Sequence, residues 1–376
     1  MPLKQISPYF SYWRTSTALD REVVDAVVAP EHGGPSREFS EALDAWPGTY
    51  YWSRREGPHR IVLIRSLRPP PRERWWLHVF LFLVTFATVW MAAAELMGQS
   101  PNFRVPAGAN LAVLWSLVVG WVADSTEGLG FVAALMGILL AHEMGHYVLA
   151  KRYHIDASPP YFLPAPWQIN FIGTFGAFIR LRSPIVDRRQ LIDVGAAGPW
   201  AGLVVAVGIL AVGLLKSQVL TGNPGVTQQL IYIGQVPFYL GDSLLLTAVR
   251  SLLVGEGTVI LHPLALAGWF GIFVTMLNLM PLGQLDGGHI LYALVGRHQA
   301  AVGKLMWYGL VLMGFQFHGW WIWAGLILLL GRGRIAHPSV LEPHRPIPAT
   351  RWPVGLATAA LFIATFTANP LPSLSF

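Results

Sequence analysis

Two histidines one helical turn apart, with a glutamate between them, are the residues of this chain best suited to chemistry. They are His142, Glu143 and His146, in the string AHEMGHY. Residues four apart on a helix share a face, so two neutral imidazoles there can grip one zinc ion. Glu143 stands beside the pair and can take a proton from a metal-activated water. In a soluble protein the competing reading is a surface helix with ordinary polar residues. Here the flanks are FVAALMGILLA and YVLA, and three ionisable groups inside an apolar segment are costly enough to mark function.

A catalytic zinc needs a third protein ligand. One familiar pattern places Gly and His three and six residues after the second histidine, but those positions hold Leu149 and Arg152. Another uses a downstream Glu, yet no Glu occurs between Glu143 and Glu256. The best remaining acid is Asp286, in NLMPLGQLDGGHI over 278–290. Pro281, Gly283, Gly287 and Gly288 interrupt the helix there, and broken helices at membrane depth line sites. A turn or cap role competes for Asp286. His289 is a weaker ligand candidate, with packing as its alternative.

The composition says what kind of elements must hold these groups. Of 376 residues 53 % are hydrophobic and only 12 % are charged, about half the soluble norm of roughly 25 %. Most of the chain must face lipid, which excludes a disordered protein. With no Cys there is no disulfide, thiolate metal site or Cys nucleophile. The net charge of +6 reports loop orientation in a membrane protein, so no nucleic-acid partner is expected. Apolar runs predict about seven spans, at 77–97, 129–150, 194–215, 261–282, 303–317, 320–331 and 353–368. The run 111–123 is too short to cross and reads as re-entrant or interfacial. With the N-terminus cytosolic, Arg104, Lys216 and Arg250 alone fall outside, as the positive-inside rule requires. Lys151 then marks the cytosolic face, and 1.5 Å per residue puts the histidines roughly 8–14 Å inside it.

Residues 1–76 read as a small soluble α+β domain on the cytosolic side, with a short amphipathic helix over 18–29 and strands at 48–52 and 59–66. Its aromatics could instead form a membrane-docking face. Met1 leads into PLKQISPYF, so no signal peptide is expected. Residues 173–184, GTFGAFIRLRSP, fit a β-hairpin dipping into the bilayer, with an interfacial loop as the alternative. Its free edge could pair with an unwound substrate backbone, which makes Gly173, Thr174, Phe175 and Gly176 candidate substrate-binding residues. Gly195, Gly198 and Gly202 read as helix-packing residues. The expected fold class is an all-α polytopic membrane protein, with the catalytic domain over 77–370, plus that hairpin and the N-terminal domain.

His142-Glu143-x-x-His146, followed by Asn278 and by Leu285-Asp286-Gly287, resembles the site-2 protease family. These are zinc metalloproteases that cut peptide bonds inside membranes. The similarity extends through YFLPAP (161–166), GTFGAFIRLRSP and DVGAAGPWAG (193–202), and is nearest to the compact bacterial branch and its plastid relatives. It implies one Zn2+ per chain on His142, His146 and Asp286, with Glu143 as general acid and base. It also implies a multi-pass protein of the bacterial inner membrane with its site toward the cytosol. The expected partners are the bilayer and a single-span membrane-protein substrate, such as an anti-sigma factor or another membrane-anchored regulator. Asn278 stands eight residues before Asp286, which alters the family's Asn-Pro-x-Asp-Gly spacing. It is a candidate for holding substrate or an oxyanion, with a helix–helix contact as the alternative. Many members carry a PDZ domain; the outside stretch 216–260 is too short for one. Two other classes compete. A metal transporter or channel would show polar residues along several helices and repeat symmetry. A silent adaptor would not need intact ligands and base.

Overall fold

The computed structural model describes residues 2–18, 21–29, 31, 36–53, 59–66, 73–97, 113, 116, 128–166, 170, 172–220, 228–233 and 236–372. Most of the 111–123 run lies outside the described residues. The first sheet is built by strands β1 (Phe10–Ala18), β2 (Arg21–Val28), β3 (Gly48–Ser53) and β4 (Arg60–Ser66), in the order β1-β2-β4-β3 and all antiparallel. Helices α1 (Pro2–Ile6) and α2 (Arg37–Asp44) accompany it, α2 capped by the Ser36 hydroxyl, which accepts from the Phe39 amide at 3.2 Å. Ile6, Phe10, Phe39, Leu43 and Trp46 pack on the sheet's apolar face. The two expected strands are present. The helix expected over 18–29 is not seen in its described part, where Arg21–Val28 form β2: Val24, Ala26 and Val28 alternate buried with less buried neighbours, the period of a strand. Hydrogen-bonded partners on both sides of β2 override the weak helical pattern.

Among the described residues three helices are long and apolar enough to cross a membrane: α3 (Trp75–Leu96), α4 (Gly128–Arg152) and α5 (Arg188–Leu215). Shorter helices follow: α6 (Leu244–Leu253), α7 (Pro263–Asn278), α8 (Asp286–Val295), α9 (Gln299–Met313), α10 (Gly319–Leu330) and α11 (Trp352–Thr365). Only three of the seven expected spans thus meet the length of a full crossing among the described residues. The expected 261–282 helix stops at Asn278, and the chain turns through Gly283 at φ +50° before α8 starts. The central core is formed where α4, α5 and α7 pack, through residues such as Phe131, Ile138, Leu210 and Phe270.

The all-α expectation needs correction in one region. Strands β7 (Gln218–Leu220), β8 (Gln228–Ile233), β9 (Val236–Leu240) and β10 (Thr258–Ile260) form a second four-stranded sheet, ordered β7-β10-β8-β9. Buried Arg250 of α6 pairs with Asp242 at 3.1 Å beside it, and the Trp269 indole donates to the Gly241 carbonyl. A short strand needs only three to six residues, and its cross-chain partner cannot be read from local periodicity.

Between α4 and α5 lies a hairpin, β5 (Tyr161–Pro164) paired antiparallel with β6 (Thr174–Phe178); the 173–184 stretch expected to form a whole hairpin supplies only its second strand, because the partner strand comes from the YFLP segment before it. Its base is tied to the start of α3. Arg182 pairs with Glu73, and His78 donates to the Pro160 carbonyl at 3.0 Å while stacking near Tyr161. Arg21 of β2 donates to the Arg182 carbonyl at 2.7 Å, linking the N-terminal sheet to the same point. The Arg182 hydrogen bond holds the Glu73 carboxyl below its ordinary range. Stability from this contact is therefore fully present above the ordinary Glu pKa of about 4.3 and is lost as pH falls through the lowered value. Thermal unfolding in detergent should show Arg182→Gln destabilised by about 1–2 kcal/mol at neutral pH, with the deficit shrinking in acid. A deficit that does not change with pH would detach Glu73 from the effect.

Candidate metal centre

His142 and His146 project from the same face of α4, and both are buried. Their Nε2 atoms lie 3.2 Å apart. Asp286, in the first turn of α8, brings Oδ2 to 3.1 Å from His142 Nε2 and 3.3 Å from His146 Nε2. The broken helix after α7 makes this possible, because it returns the chain to α4 at the point where α8 begins. The histidine spacing and the downstream acid therefore meet as the sequence proposed.

The donor chemistry of this triangle fits a cation. His146 Nδ1 lies 2.7 Å from the Val194 carbonyl, which can only accept, so Nδ1 carries the hydrogen. That leaves Nε2 with a bare lone pair in the neutral ring. With the ring neutral, as a metal ligand must be, this Nε2 and the Asp286 carboxylate oxygen are two electron-pair donors 3.3 Å apart. A cation between them removes the repulsion. Zinc bonds of about 2.0–2.2 Å at tetrahedral angles set donor atoms about 3.3 Å apart, which the three observed separations match. No other group of three potential ligands converges among the described residues.

Helix α5 presses directly on the ligands. A Cβ at position 198 would fall 2.0 Å from His146 Nε2, and one at 202 would lie 3.1 Å from His142 Cβ. The glycines read as packing residues thus make room for the ligand rings themselves. On α4, a Cβ at Gly145 would meet the Ala197 carbonyl at 2.4 Å.

Glu143 is buried and lines a cavity of about 210 Å³ together with the three ligands, Asn278 and His289. It is not one of the converging donors, which leaves its carboxylate free to handle protons. The Ile179 backbone hydrogen-bonds to it. Asn278, the last residue of α7, places Nδ2 3.3 Å from His142 Nε2. Residues 130–315 match the sequence profile described as Peptidase family M50. This stretch is a peptidase family M50 domain.

Curated relatives are similar over about half to just over two thirds of the chain. "Probable zinc metalloprotease EGY1, chloroplastic" of Arabidopsis thaliana is 34 % identical over 49 % of this chain and 32 % of its own length. The protein of that name from Oryza sativa subsp. japonica is 30 % identical over 71 % of this chain and 45 % of its own. "Probable zinc metalloprotease EGY2, chloroplastic" of Arabidopsis thaliana is 30 % identical over 66 % and 42 % respectively. The chain therefore spans less than half the length of these relatives. No solved structure matches.

The hairpin reaches the M50 domain's cavity through the residues that follow the four substrate-binding candidates. Ala177, Phe178 and Ile179 line it, while Gly173, Thr174, Phe175 and Gly176 do not. Gly173 sits at φ +81° against α3, where a Cβ would lie 2.3 Å from the Thr88 carbonyl, and the Thr88 hydroxyl donates to the Gly173 carbonyl at 2.7 Å. Thr174 spends its hydroxyl on the Leu163 carbonyl, Phe175 is exposed, and Gly176 has open space around it. Gly173 and Thr174 anchor the start of β6, Phe175 and Gly176 continue it, and Ala177–Ile179 line the cavity. Gln284 of the broken segment and Leu285, a member of the Leu285-Asp286-Gly287 motif, also line the cavity; nothing in the residue type of Gln284 marks it.

Proposed function

We propose that this chain is an intramembrane zinc metalloprotease, hydrolysing a peptide bond within or near the membrane-spanning helix of another protein. The observation that carries the reading is the His142–His146–Asp286 triangle with Glu143 beside it, three of the four groups on a helix long and apolar enough to span a membrane. When bound, zinc would polarise the scissile carbonyl and acidify water. Glu143 accepts the proton of the attacking water and later hands it to the leaving amine nitrogen. Val194 holds the His146 ring in its ligating orientation through its carbonyl. Asn278 has an amide donor in the cavity, placed to hold substrate or the oxyanion. Ala177–Ile179 offer backbone to a locally extended substrate by strand addition.

The finer picture belongs to the same proposal. The short apolar helices would complete about seven spans, with residues 1–76 as a cytosolic domain and the cavity opening toward the cytosol. The membrane would be the bacterial inner membrane. The substrate would be a single-span, membrane-anchored regulator, an anti-sigma factor being one such protein. The test uses purified full chain in detergent and a tagged single-span polypeptide. One zinc per chain should be present, 1,10-phenanthroline should stop cleavage, and stoichiometric zinc should restore it. Cleavage that survives metal removal would overturn the reading.

A further inference from the structure

His289 lines the catalytic cavity yet stays outside the converging donor triangle. Its Nδ1 lies 2.6 Å from His337 Nε2. His337 Nδ1 is in turn hydrogen-bonded to the Pro338 carbonyl. A carbonyl only accepts, so His337 Nδ1 carries the hydrogen and donates it. Burial pushes His337 down to about 4, so its ring is neutral and its Nε2 is bare. A bare nitrogen accepts, so His289 must donate from Nδ1. Its own Nε2 is then left bare as well. One carbonyl fixes the tautomers of both rings.

The pair is held firmly. Tyr292 stacks on His337 with ring centroids 4.6 Å apart. Gln299, only 1 % exposed, accepts the His337 backbone N–H at 2.9 Å and donates to the Pro281 carbonyl at 3.3 Å. Gly195 brings α5 close to the His289 Cβ. Two aromatic rings and a buried amide thus set the direction of a single uncharged acceptor at the cavity wall. No described residue donates to it. A histidine that merely filled space would need no fixed tautomer.

We infer that His289 is a substrate-contacting residue, its Nε2 accepting a hydrogen bond from a backbone N–H of the polypeptide in the cleft, and that His337 is the positioning residue that keeps this nitrogen bare. The ligand class is the main-chain amide of a locally extended peptide. Such a peptide presents N–H and C=O alternately. Asn278 offers the cleft a donor for carbonyl oxygen, and His289 supplies the neutral acceptor. The inference rests on the protease reading above.

The test uses zinc-loaded full chain in detergent and a short apolar peptide hydroxamate, with analogues N-methylated at one backbone nitrogen at a time. Dissociation constants and zinc content are measured for wild type, His289→Phe, His289→Gln, His337→Phe and the double Phe variant. His289→Phe should keep its zinc and bind the parent peptide about 3- to 10-fold more weakly, the size of one neutral hydrogen bond. One N-methyl position should cost wild type that factor and cost His289→Phe nothing further. His337→Phe should show the same selective loss, the double variant should add nothing, and His289→Gln should recover part of the discrimination through its acceptor oxygen. Loss of zinc in His289→Phe would make the residue a ligand and overturn the inference. So would equal sensitivity of wild type and His289→Phe to every N-methyl group. Failure of the protease reading would show separately, as a wild type that holds neither zinc nor hydroxamate, and the inference would fall with it.

Discussion

Glu143→Gln protein will hold one zinc per chain and show cleavage reduced by roughly 10²–10⁴-fold, the usual size of a general acid–base contribution. The amide has the shape of the carboxylate and cannot take the proton of the attacking water. Metal should stay, because the donors that converge are His142 Nε2, His146 Nε2 and an Asp286 oxygen, with Glu143 outside the set. Zinc content and single-turnover cleavage of the same purified sample read the two halves of the expectation. Cleavage at the wild-type rate would remove Glu143 from the chemistry, and lost zinc would place it among the ligands.

Adding one methyl group at position 198 should do nearly as much damage by a different route. The new Cβ of Gly198→Ala would stand 2.0 Å from His146 Nε2, the atom that faces the other donors. The helices cannot move apart cheaply, since Gly145 of α4 already meets the backbone of Ala197. The ring must swing away, breaking its 2.7 Å contact with Val194 and leaving two donors where three converged. Losing even an outer partner of a ligand costs roughly 10–100-fold in metal affinity, so displacement of the ligand itself should exceed that. Gly208→Ala is the control on the same helix: nothing lies within 4 Å of its Cβ position, and replacing a mid-helix glycine by alanine should raise stability by about 0.5–1 kcal/mol. Equal zinc affinity in Gly198→Ala and wild type would contradict the packing described.

The metal triangle was readable because each member left a local mark. His142 and His146 carry helical spacing in an apolar run, and Asp286 sits where proline and glycine break a helix. Family resemblance pointed to the same residues. What failed shares a physical cause. The 18–29 segment, ALDREVVDAVVA, has apolar residues that satisfy periods of both 3.6 and 2, and only its pairing with β1 and β4 decides for a strand. The 218–260 sheet is built from short strands whose partners lie apart in sequence. Which residues of the 173–184 stretch line the cavity, Ala177–Ile179, was not legible either, since the hairpin's placement involves a contact of Gly173 with Thr88, 85 residues earlier. His289, a weaker ligand candidate in the sequence, meets His337 only through the fold, 48 residues on, and nothing local marks His337.

Asp286 follows His142 by 144 residues, and that distance has a meaning for the order of events in the cell. A growing chain places the histidine helix in the bilayer long before the third ligand is synthesised. Until α7 and α8 have been inserted and have packed against α5, the nascent protein carries two histidines and a base with no competent centre. On the proposed protease function, the chain would therefore be silent while its own earlier helices are still being made and packed. On the same reading, a chain truncated before Asp286 would lack one of the three converging donors and would not be an active protease.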